Sequence, residues 1–102
     1  MKFGLSENII NEIIFVLSKY NKIECALIFG SRAKGNFSNG SDIDIAVKAN
    51  LLSFDEFISI QTELDQLELI YKIDFIDYDK INEPALKEHI DRVGEIFYEK
   101  NK

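Results

Sequence analysis

Cysteine, proline and histidine each occur once in the 102 residues, and glycine five times. One cysteine rules out a disulfide scaffold within the chain, and Cys25, set in an apolar run, reads as a buried, inert thiol rather than a nucleophile or a metal ligand. Scarce proline and glycine, with 46% hydrophobic and 29% charged residues, argue against disorder. The longest apolar runs, such as "CALIF", have five residues, and "MKFGLSENII" lacks the apolar stretch of a signal peptide. A soluble cytoplasmic protein with no membrane partner is expected. Positive charge is also short: 12 Lys and Arg stand against 18 Asp and Glu, for a net charge of -6. Such a surface repels polynucleotides, so no free nucleic acid partner is expected.

The chain has the length of one domain, taken as residues 1–102, with a single modest core. Ser6 precedes apolar residues at 9, 10, 13, 14 and 17, a helical stripe with its N-cap. "IECALIF" (23–29) reads as a buried strand. Residues 31–41 form a loop that has Asn39-Gly40 as its turn and room for a helical turn at "SRAK". "DIDIAV" (42–47) alternates, with Asp42, Asp44 and Ala46 on one face and Ile43, Ile45 and Val47 on the other. Ser53 and Glu56 form a capping box for a second long helix, "YKIDFID" (71–77) reads as a third strand, and Pro84 to Gly94 as a last helix. "EIFY" adds a short edge strand. The order predicts an α/β fold in which helices pack on a small mixed sheet.

Two aspartates at the head of a half-buried strand repel each other unless paired or bound to a cation. Side chains two apart lie about 7 Å from each other along a strand, close enough to share a cation site, and oxygen-only ligands select Mg²⁺ or Mn²⁺. Asp74, between Ile73 and Phe75, joins Asp42 and Asp44 if the third strand neighbours the second. Three carboxylates suit a two-metal phosphoryl or nucleotidyl transfer. Gly30 allows a phosphate to approach the backbone, Ser31 offers a hydroxyl, and Arg32 and Lys34 are the nearest cations for a triphosphate. Asp77 and Asp79 read as surface or turn residues, and His89 as a boundary residue of the last helix. "GSRAKG" is not a P-loop, since Asn36-Phe37 follow where Lys-Ser/Thr is needed. D-x-D alone is as compatible with a solvated hairpin turn.

Gly30-Ser31, ten residues, Asp42-x-Asp44, then Asp74 within a later strand is a joint pattern that resembles the polymerase-β-like nucleotidyltransferase superfamily. "GSRAKG", "SDIDIAV" and "GEIFYE" are similar to the minimal nucleotidyltransferases within it, over nearly the whole chain. The resemblance implies a polymerase-β-like fold with helices packed on one side of the sheet, and magnesium, with Asp42 and Asp44 as metal ligands, Asp74 as the third carboxylate that helps deprotonate the acceptor, and Ser31 as a phosphate contact. It also implies transfer of AMP from ATP, a nucleoside triphosphate donor, to a hydroxyl. Proteins of this kind are commonly paired with a HEPN-domain RNase toxin and act as its antitoxin by adding AMP to a tyrosine, so a hetero-oligomer is expected. Two alternatives stand beside this: a binding antitoxin with vestigial catalysis, and transfer to a small molecule.

Overall fold

The computed structural model describes residues 2–100. Helix α1 (Glu7–Ser18) leads into β1 (Ile23–Phe29), the short α2 (Gly30–Lys34) and β2 (Ile43–Ala49). Helix α3 (Phe54–Asp65), β3 (Ile73–Asp77), a 3-10 turn (Tyr78–Lys80), α4 (Pro84–Val93) and β4 (Glu95–Glu99) complete the order.

Local chemistry accounts for the ends of these elements. The Ile9 N–H donates to Ser6 Oγ at 3.3 Å and opens α1. At α3 the capping box closes both ways: Glu56 N–H donates to Ser53 Oγ at 3.1 Å, and Ser53 N–H to Glu56 Oε1 at 2.9 Å. Pro84, which has no N–H to satisfy, takes the first turn of α4. Gly94 ends α4 through close approach rather than a left-handed turn, because a Cβ there would stand 2.5 Å from the Ile90 carbonyl oxygen.

The four strands lie in the order β3-β2-β1-β4. Strand β1 is antiparallel to both β2 and β4, while β2 and β3 run parallel. A parallel pair needs a crossover, which α3 supplies between residues 50 and 72. The expected mixed sheet is present, and β4 is indeed an edge strand.

Alternation on β1 and β2 divides the molecule into two sides. Ile28, Ile43, Ile45 and Val47 face Ile13, Val16 and Leu17 of α1 and Ile60 and Leu64 of α3, forming the main core. The opposite side carries a smaller cluster of Leu27, Phe29, Ala46 and Ile90. Coverage from one side therefore holds for α1 and α3, whereas α4 packs behind the sheet. The reason lies in Leu27 and Phe29: β1 is apolar on both faces, and its second face needs a cover. Cys25 is half-buried rather than enclosed, and burial pushes its thiol up from the ordinary value.

Candidate active site

Asp44 and Asp74 stand opposite each other in the parallel ladder between β2 and β3. Side chains at such a position point the same way from strands about 4.8 Å apart, so the two carboxylates are neighbours. On its other side Asp44 is level with Phe29, the last residue of β1. The next residue, Gly30, has φ +73°, and a Cβ there would collide with Asp44 Oδ2. Glycine is thus required twice, by the backbone conformation and by the carboxylate pressed against it.

The electrostatics follow from this crowding. Burial, then the proton shared with Asp74 and the negative charges of Asp74 and Asp42, push the Asp44 carboxyl up to about 6. The ammonium of Lys72, 3.5 Å from Asp74 Oδ1, opposes the shift. Asp42 is exposed at the entrance to β2.

The remaining expected residues divide. Ser31 lies in the first turn of α2, and its carbonyl accepts the N–H groups of Gly35 and Asn36 at 2.9 and 3.2 Å. Lys34 is exposed at the end of the same helix. Arg32 turns inward instead and is only 2% exposed. It donates through Nε and Nη2 to the Ser41 carbonyl at 3.1 and 2.9 Å, and through Nη1 to Phe3 at 2.8 Å. The rings of Phe37 and Tyr71 sandwich its guanidinium at 5.0 and 4.7 Å. Arg32 therefore pins the Gly-rich loop just ahead of Asp42, and its donors point at carbonyls rather than toward the carboxylate pair.

His89 takes its expected place, and Asp77 departs in part from the one expected of it. Asp77, expected as a surface or turn residue, does serve a turn, capping the 3-10 turn by accepting the Asp79 N–H at 3.1 Å, but it is only 8% exposed. The Asp-x-Asp spacing of 77 and 79 was the available signal. His89 lies edge-on to Phe29, with ring centroids 6.2 Å apart, a boundary position beside the strand that leads to Gly30.

Asp44 and Asp74 supply hard oxygen donors side by side, a set suited to Mg²⁺ or Mn²⁺ and unsuited to softer metals. Among the described residues no three His, Cys, Asp or Glu side chains converge as a protein-only ligand set.

A mixed sheet with a Gly-Ser turn facing an aspartate pair defines a class of phosphate-handling proteins, and sequence comparison places the chain within it. Residues 11–102 match the family described as Polymerase beta, Nucleotidyltransferase, so the chain belongs to that family and is a nucleotidyltransferase. A Methanocaldococcus jannaschii protein named "Putative protein adenylyltransferase MJ1379" is 33% identical over 79 residues, 74% of this chain and 78% of the relative. Among solved structures, a toxin-antitoxin complex with AMP-PNP has TM-score 0.72 and 26% identity, over 90% of this chain and 74% of that one. The fold is shared too with a complex of tri-AMPylated Shewanella oneidensis HEPN toxin and MNT antitoxin, at TM-score 0.70 and 22% identity, over 94% and 74% of the two chains.

Proposed function

We propose that the chain is a Mg²⁺-dependent protein adenylyltransferase that transfers AMP from ATP to a tyrosine hydroxyl of a partner HEPN-domain toxin and so acts as its antitoxin in the cytoplasm. The observation that carries this reading is the adjacent Asp44 and Asp74 pair with Gly30 pressed against it. The relative named as a protein adenylyltransferase and the toxin-antitoxin complexes of like fold support a protein acceptor.

In this reading Asp44 and Asp74, with Asp42 at the entrance to β2, would hold Mg²⁺, as two ions, which would neutralise charge on the phosphates and the leaving group. Gly30 lets the α-phosphate approach the β1 terminus, Ser31 donates to a phosphate oxygen, and exposed Lys34 meets the triphosphate tail. Asp74 takes the proton of the acceptor hydroxyl. The acceptor oxygen bonds to the α-phosphorus, the bond from that phosphorus to the β-phosphate bridging oxygen breaks, and pyrophosphate leaves. Arg32 works at one remove, by holding the loop that delivers Asp42.

Incubation with α-labelled ATP, Mg²⁺ and the protein encoded by the neighbouring gene is expected to label that protein. Substitution of both Asp42 and Asp44 by Ala is expected to abolish labelling, and labelling that persists in the double variant would sink the assignment. If the double variant still neutralises the partner, neutralisation works through complex formation alone.

A further inference from the structure

We infer that the apolar groove at the free margin of β3 seats the acceptor polypeptide: an extended, basic segment inserts one apolar side chain there while a hydroxyl residue two or three positions away reaches Asp74. This inference rests on the reading of the chain as a protein adenylyltransferase.

The groove has a volume of about 320 Å³, and Phe54, Phe57, Ile76, Ile81 and Leu86 are its apolar lining. Its position ties it to the carboxylates. Ile76 follows Asp74 by two residues on the same side of β3, so the groove begins about 7 Å from the site, one alternate-residue step along a strand. The Gly30-Ser31 turn lies at the end of β1, on the other side of β2 in the sheet order. With the triphosphate on the β1 side and the carboxylates between, the β3 side is where an acceptor can approach.

Two further features select the occupant. Among the described residues, strand β3 ends the sheet and is paired only to β2, so its outer edge offers backbone groups to an extended chain. The charged lining residues are Asp77 and Lys80, the exposed acids Asp55, Asp79 and Glu83 flank lining residues in the sequence, and the chain carries a net charge of -6. Of the nearby cations, Lys80 donates to the Leu52 carbonyl at 2.9 Å and Lys87 lies 5.0 Å from the Tyr78 ring. The rim therefore favours a basic segment. Phe54, at the mouth, is 70% exposed, an unusual exposure for a large aromatic beside a groove.

The test compares the unmodified protein with Phe54→Ala and Ile81→Ala, using the partner protein of the labelling assay as probe. Phe54 is exposed enough for its variant to fold, which thermal melting checks. The expected result is a KM for the protein acceptor raised at least tenfold, with the KM for ATP within twofold of the original. An unchanged acceptor KM overturns the inference. So does a rise confined to the ATP KM, which would assign the groove to the nucleotide base. Calorimetric titration of the chain with the partner separates this inference from the proposed activity. If the unmodified pair binds without any transfer, a tenfold loss of affinity in Phe54→Ala keeps the groove as the docking site while the transfer reading falls; unchanged affinity, or no binding by the unmodified chain, overturns the groove.

Discussion

The two faces of one strand, β2, do different work. Ile43, Ile45 and Val47 look toward α1 and α3 and are fully enclosed, while Asp44 looks toward the smaller α4 side. Among the described residues the first face has fifteen buried residues in its cluster and the second four, and Asp44 stays partly exposed. Charges crowded together cost stability, so they sit where packing has been kept to a minimum and the dry face opposite holds the strand in place. One consequence is that stability and activity should respond to different substitutions only one residue apart.

The largest separation is expected at Asp44→Asn. Removing the carboxylate should lower AMP transfer by roughly a thousandfold or more, the scale seen when a single group that stabilises transition-state charge is lost. The melting temperature should not fall. A parallel fall in melting temperature and activity would break the contrast between the faces.

Ile45→Ala, one residue along, should do the reverse. A buried Ile truncated in a close-packed core costs about 3–4 kcal/mol, read as a shift of the denaturation midpoint. Ile90→Ala, in the smaller cluster, should cost nearer 2 kcal/mol. Equal costs would mean that α4 is as firmly packed as α1 and α3.

Gly30→Ala tests the seam between the faces. The left-handed backbone alone costs about 1 kcal/mol in a non-glycine residue, and the new Cβ displaces Asp44. Transfer should therefore drop more than stability does. Loss of stability with full activity would show that Asp44 moves freely.

The smallest effect concerns pH. The folded Asp44 carboxyl sits at about 6, above its ordinary 3.8, so its proton is bound more tightly in the folded state. The stabilisation it contributes is fully present below about pH 4 and is lost as pH rises through about 6. After allowance for solvent screening this amounts to about 1 kcal/mol. Chemical denaturation between pH 4 and 7 should show the decline in the original protein and a flatter curve in Asp44→Asn. Identical curves would mean that Asp44 is not crowded by Asp74.

Much of this arrangement is legible along the chain because it rests on short-range rules. Ser6 and Ser53 mark helix starts through caps that span three residues, and the period-two pattern of "DIDIAV" separates core from site. The side-chain direction of Arg32 is not legible in this way. Its place beside Ser31 suggests a phosphate contact, but Phe3, Ser41, Phe37 and Tyr71 converge on it from three separate segments. Asp77 is similar, since its low exposure is not encoded in the short-range spacing that marks it as a cap.

By itself, then, the sequence determined the elements, the face of β2 that carries Asp44, and the Gly30-Ser31 turn, because dihedral preference and periodicity act within a few residues. Only the tertiary structure decided that β3 pairs with β2 in the register that sets Asp74 against Asp44, that α4 crosses behind the sheet, and that Arg32 faces inward. Those outcomes depend on contacts between segments distant in the chain, where burial of apolar surface and satisfaction of polar groups select one packing that no local preference encodes.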